Sequence, residues 1–89
     1  MKFLIVGLGN IGAKYESTRH NIGFKALDFV AEQSSAFFIE EKYGETSSYK
    51  YRGKNIHLLK PNTFMNLSGS AVRYWMTKLK IDVKNILII

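Results

Sequence analysis

The sequence predicts an α/β fold: one domain, residues 1–89, built on a mixed β-sheet flanked by helices. Two stretches of helical period and several short apolar or alternating runs carry that prediction. Strand-like runs stand at both ends of the chain beside the helical stretches, and three more follow one another in the middle as a meander.

Lys2–Val6 is a continuous apolar run stopped by Gly7, the pattern of a buried strand. Residues 7–20 read as loop, because Tyr15 is the only large apolar residue between Ile11 and Ile22. From Asn21, an N-cap residue type, to about Gln33 the period is helical. Ile22, Ala26, Phe29 and Val30 share one face, widened by Phe24, Leu27 and Ala31, and leave a narrow polar stripe of Lys25, Asp28 and Glu32. That composition predicts a mostly buried helix. Ala36–Tyr43, Ser47–Arg52 and Asn55–Lys60 have strand character, with hairpin connections at Gly44-Glu45-Thr46 and Gly53-Lys54. Pro61 ends the last of these strands. A second helix is expected from about Leu67 or Ser68 to Lys80. Its apolar face is Leu67, Ala71, Val72, Trp75, Met76 and Leu79, and its outer, basic face is Ser70, Arg73, Thr77 and Lys80. Residues 85–89 read as a final buried strand.

Thirteen Lys and Arg against seven Asp and Glu give a net charge of +6. Such an excess favours a polyanionic partner, because neutralised phosphates release counterions, although a merely solvated basic surface gives the same count. The chain has no cysteine, which excludes disulfides and thiolate chemistry and agrees with a reducing cytoplasm. The apolar opening is broken by Gly7, Gly9 and Asn10 without a cleavage site. No run approaches the roughly 18 apolar residues that span a membrane. A soluble, cytoplasmic protein with no membrane contact is expected. Two separated histidines, no cysteine and no paired carboxylates at ligand spacing leave no metal constellation.

Gly7-Leu8-Gly9-Asn10-Ile11-Gly12 satisfies the dinucleotide-binding pattern G-x-G-x-x-G after a strand. The mechanics of that motif are missing. No helical face begins before Ile22, and Glu32 lies in helical pattern rather than at the end of a second strand. No nucleotide cofactor is expected, and a nucleotide-dependent oxidoreductase is the weaker alternative. The glycines instead predict a tight loop that brings backbone close to a ligand. Asn10 in that loop can donate and accept hydrogen bonds to a ligand, or simply close an Asx-turn.

Two further segments have the residue types of a reacting site. They are Tyr15-Glu16-Ser17-Thr18-Arg19-His20-Asn21-Ile22-Gly23-Phe24 and Lys60-Pro61-Asn62-Thr63-Phe64-Met65-Asn66-Leu67-Ser68-Gly69. Like Gly7–Gly12, each follows a predicted strand and precedes a helix, which gathers all three at one end of the sheet. His20 can accept a proton from water near neutral pH, or be only a solvated or capping residue. Asn66 has the chemistry of an oxyanion donor and also that of a helix N-cap. His57, mid-strand between Ile56 and Leu58, reads as structural or exposed.

The three blocks, in one register from Met1 to Ile89, resemble the signature blocks of bacterial-type peptidyl-tRNA hydrolases. The resemblance implies hydrolysis of the ester between peptide and tRNA, without metal or organic cofactor, by a monomer when full-length. It implies His20 as general base, Asn10 as the residue that distinguishes peptidyl-tRNA from aminoacyl-tRNA, and Asn66 as a substrate ligand near the reacting carbonyl. Tyr15 and Phe64 fall on aromatic positions that contact the tRNA end, and core packing is the other reading of each. Ile11 stands where the family usually has proline, and Phe64 where it has tyrosine. Family members are about twice this length, and their acid that orients the histidine follows the Ile86-Leu87-Ile88-Ile89 strand. These 89 residues are therefore expected to be the amino-terminal part of the fold, with little or no activity alone. A non-catalytic RNA-binding module is the alternative from another class.

Overall fold

The computed structural model describes residues 1–8, 22–61 and 68–89. Among these residues five strands and two helices appear in the order β1 (Lys2–Val6), α1 (Ile22–Gln33), β2 (Ile39–Glu41), β3 (Gly44–Tyr51), β4 (Lys54–Pro61), α2 (Ser68–Leu79) and β5 (Ile86–Ile88). One 3₁₀ turn, Val83–Asn85, precedes β5; the Asp82 side chain caps it by accepting from the Lys84 N–H. The expected Asn21 N-cap, and the expected loop from residue 9 onward, lie outside the described residues.

The strands form one mixed sheet of order β2-β3-β4-β1-β5. β2, β3 and β4 pair antiparallel through two tight hairpins, while β1 lies parallel to both β4 and β5. Because strand side chains alternate between faces, adjacent apolar residues serve opposite sides. Leu4 and Val6 of β1 and Leu59 of β4 join Ala71 and Trp75 of α2 and Ile81 in one cluster. Leu58 joins Leu27 and Ala31 of α1 in the other, with Ile5, Ile56 and Phe38 packed around them. One helix therefore covers each face. Each fully buried leucine contributes about 1.5–3 kcal/mol.

Both helices close with a Schellman arrangement. Ser35 (φ 55°) follows α1 with Ala36 N–H bonding to the Ala31 carbonyl, and Lys80 (φ 57°) follows α2 with Ile81 N–H bonding to Met76.

The faces of α2 agree with the sequence period: Ala71 and Trp75 are buried, and Ser70, Arg73, Thr77 and Lys80 are exposed. α1 departs from it. Its buried residues are Gly23, Leu27 and Ala31, whereas Ile22 and Phe29 are 63% and 64% exposed. The helix is set by its small residues, because Gly23 lets it press on the end of β1. β5 also departs: it is an edge strand whose Leu87 and Ile88 remain 57% and 52% exposed.

The hairpin turns sit one or two residues earlier than expected. The first is Lys42-Tyr43, between the paired Glu41 and Gly44, with Tyr43 at φ 69°. Gly44 belongs to β3, where a Cβ would meet the Lys60 carbonyl oxygen and lie 2.9 Å from Pro61 Cα. Its glycine serves close strand approach, not turning. The second turn is Arg52-Gly53 (φ 51° and 79°), the two positive angles that a twisted two-residue hairpin requires.

Candidate active site at the carboxyl edge of the parallel strands

In sheets of this kind ligands bind beyond the carboxyl ends of parallel strands. Here those ends are Leu59–Pro61 of β4, Val6–Leu8 of and after β1, and Ile88–Ile89 of and after β5. Backbone bonds lock them together. Gly7 N–H donates to the Leu59 carbonyl at 2.9 Å, Leu8 N–H to Ile89 at 3.0 Å, and Ile89 N–H to Val6 at 2.8 Å.

Helix α1 begins against this edge because two glycines allow it. A Cβ on Gly23 would stand 2.5 Å from the backbone N and O of Leu8 and 2.7 Å from the Ile89 oxygen. A Cβ on Gly7 would meet the Gly23 carbonyl and lie 2.8 Å from Leu27 Cγ. The Gly7 of the glycine motif thus serves helix-to-strand packing. At the start of α2, Ala71 packs in the same cluster as Val6 and Leu59, with Leu8 beside it.

His20, Asn10, Tyr15, Phe64 and Asn66 lie outside the described residues, as does Ile11. What the structure brings together is the four chain points that bracket them. Leu8 and Pro61 stand at the carboxyl edge, Ile22 precedes the Gly23 that packs on it, and Ser68 opens the helix whose Ala71 packs with Val6 and Leu59; β1 and β4 are adjacent strands.

Lys60, the penultimate residue of β4, stands at the head of the second block, and the sequence alone gives it no role. Its ammonium lies 2.7 Å from Asp28 of α1 and 3.5 Å from Glu45 of β3, and 4.2 Å from the centre of the Phe38 ring. With its side chain only 14% exposed, it ties α1 to the sheet directly beneath the edge. Asp28 and Lys60 are distant in sequence, and no local pattern announces their pairing.

His57 lies away from this edge, paired with Leu4 and Ser48 and partly buried. It lines a groove of about 300 Å³ between α2 and the outer strands, with Phe37, Ile39, Thr46, Trp75 and Leu79. Burial, and secondarily the Lys2 ammonium, hold its imidazole below the usual histidine value and so favour its neutral form. Among the described residues no three His, Cys, Asp or Glu side chains cluster as metal ligands, and no helix is long and apolar enough to cross a membrane.

The strand that follows α1 is not placed beside β1, as a dinucleotide-binding fold requires. β2 lies at the far edge of the sheet, and the neighbours of β1 are β4 and β5.

Comparison with known proteins agrees with this topology. The family model for peptidyl-tRNA hydrolase matches residues 4–89. The peptidyl-tRNA hydrolase of Phocaeicola vulgatus is 54% identical over 89 residues, which are 100% of this chain and 48% of that protein. Its counterpart in Bacteroides fragilis is 56% identical, again over 100% of this chain and 48% of that one. The crystal structure of peptidyl-tRNA hydrolase from Acinetobacter baumannii matches with a TM-score of 0.90 at 35% identity, covering 97% of this chain and 45% of that one. The chain spans about half the length of the relatives it matches. A match that runs through almost every residue, carried at more than half identity by its relatives, decides what a glycine motif alone leaves open: the chain belongs to the peptidyl-tRNA hydrolase family.

Proposed function

We propose that this chain carries the catalytic base and substrate-binding amides of a cytoplasmic esterase that cleaves the bond between a peptide and tRNA. The observation that carries the reading is the shared edge. The segment holding Asn10 and His20 joins β1 to α1 and that holding Phe64 and Asn66 joins β4 to α2, so both follow the carboxyl ends of two neighbouring strands, where this fold class binds ligands.

In this reading His20 takes a proton from water as the water oxygen attacks the ester carbonyl. A base so positioned contributes about 10²–10⁴ in rate. The Asn66 amide donates to the oxyanion that forms, an interaction typically worth about 2.7–4 kcal/mol. Collapse breaks the bond to the terminal ribose oxygen, which takes up a proton and leaves as the tRNA hydroxyl, while the peptide leaves as a carboxylate. Asn10 bonds to the blocked α-nitrogen or the adjacent carbonyl and selects against a free ammonium. Tyr15 and Phe64 stack on the RNA end. No metal or organic cofactor takes part.

The test is peptide release from N-acetylaminoacyl-tRNA. The chain alone is expected to show little or no turnover, because a base lacking its orienting acid loses its fixed tautomer. Completed with the carboxyl-terminal half of the Bacteroides fragilis relative, it is expected to turn over. His20→Ala in the completed enzyme lowers turnover by about 10²-fold or more with tRNA affinity retained. Hydrolysis that survives this substitution overturns the assignment of the base.

A further inference from the structure

The outer face of α2 carries more than the charge its sequence period shows. The Lys42-Tyr43 turn docks along the margin of that face: the Trp75 indole N–H donates to the Lys42 carbonyl at 2.9 Å, and the Tyr43 and Tyr74 rings meet edge to face at 5.2 Å. The Lys42 ammonium lies 5.3 Å from the Tyr43 ring centre and 5.2 Å from that of Tyr74. Lys78 stands 5.7 Å from Tyr74 and 5.0 Å from Trp75. Aromatic faces thus hold two amines in place. Beside them runs an open groove of about 610 Å³ lined by Tyr43, Ser70, Arg73, Tyr74, Thr77 and Lys78, with no acidic residue. Lys42, Arg73 and Lys78 are exposed, and among the described residues none of them is in an ion pair.

The position matters as much as the chemistry. Gly44, next to the turn, pairs with Pro61, so Lys42 and Tyr43 stand at the same carboxyl edge from which the 62–67 segment departs. From there the groove follows α2 from Ser70 to Lys78, about 12 Å at the helical rise.

We infer that the Lys42-Tyr43 turn and the outer face of α2 form a second RNA-contact surface, which takes the phosphates and an unstacked base of the acceptor arm of the tRNA substrate. The inference rests on the esterase reading for the identity of the RNA. An ester at the tRNA terminus held at the edge leaves the adjoining nucleotides next to this groove. Cations interleaved with tyrosines suit RNA, since the amines neutralise phosphates and the rings offer stacking faces.

Direct binding tests it without reference to hydrolysis. Fluorescence anisotropy with deacylated tRNA, over a range of salt, compares the chain with a Lys42→Ala/Arg73→Ala/Lys78→Ala variant. A Lys25→Ala/Lys50→Ala/Lys54→Ala variant removes the same charge from exposed positions elsewhere. Thermal melting verifies that both are folded. The first variant is expected to weaken binding by about tenfold or more and to flatten the log–log salt slope by about two. The control variant is expected to weaken binding by less than about threefold. Equal losses from the two variants, or no tRNA binding by the unsubstituted chain, overturn the inference. Hydrolysis by the completed enzyme together with an unaffected first variant sinks this surface and spares the esterase reading. RNA bound through the patch by a completed protein that cleaves nothing supports the surface and sinks that reading.

Discussion

Lys60 is a cation closed in by two carboxylates and an aromatic ring, and most of its four-carbon stem is covered. Arg is longer and planar and does not reproduce a point charge held 2.7 Å from Asp28. Both acids are half exposed, so solvent screens the ion pairs, and much of the contribution comes from the stem and the Phe38 ring. Lys60→Ala is expected to cost about 1–2 kcal/mol of stability, and Lys60→Met less, because the methionine stem keeps the packing. Urea unfolding of the three proteins measures the order. His57 gives a prediction with a definite sign. Its folded pKa is depressed, so between that value and the unfolded value near 6.5 the unfolded chain binds more protons than the folded one. Stability is therefore full above about pH 6.5 and declines as the pH falls below it. Melting temperatures at pH 7.5 and 5.5 should show that decline in the parent chain and a smaller one in His57→Asn. An equal decline in both would rule His57 out as its source.

At the scale of elements, two glycines separate strain from crowding. Gly23→Ala drives a methyl into the backbone of Leu8 and Ile89, which cannot swing aside, and should cost about 1–3 kcal/mol or more. Gly53→Ala meets nothing within 4 Å and costs only its positive φ of 79°, about 1 kcal/mol. Comparable losses from the two in thermal melts would contradict the close approach of α1 to the edge. The same contrast explains what the sequence made legible. The positions of β1, β4 and α2 follow from apolar runs and a clear period, and α2 presents the expected residues outward. The orientation of α1 was not legible, since its apolar residues occupy most of its circumference and its polar stripe is narrow. Contact through Gly23 selected the Leu27–Ala31 side and left Ile22 and Phe29 outside. By pattern Gly44 reads as a turn residue because glycine usually turns, whereas Tyr43 adopts the left-handed angle and Gly44 admits Pro61. The clamp of Lys60 and the docking of Lys42-Tyr43 on α2 join residues about thirty positions apart, beyond any local pattern. Roles for His20, Asn10 and Asn66 are proposed from three motif blocks in one register, not from chemistry alone.

For the molecule as a whole, 89 residues are few, and a chain of this size buries only about 60–65% of its unfolded surface. Its sheet ends in β5, an edge strand of three apolar residues with Leu87 and Ile88 open to solvent. Unpaired edges of this composition recruit further strands. As an isolated polypeptide these 89 residues are expected to associate with rising concentration, and Leu87→Lys should reduce that association without lowering the melting temperature by more than a few degrees. Sedimentation at two concentrations distinguishes the outcomes; identical behaviour of parent and variant would place the sticky surface elsewhere, with Phe37 and Ile39 at the opposite edge the next to change.

The single tryptophan of the chain is the residue whose indole fastens the Lys42-Tyr43 turn to α2, and Lys78 stands over its ring. The protein therefore carries an intrinsic optical probe at that junction. A polyanion that draws Lys78 away from the ring should change the emission intensity of Trp75, and loosening of the turn should shift its wavelength to the red. Titration with tRNA would read occupancy of that face from the unlabelled protein.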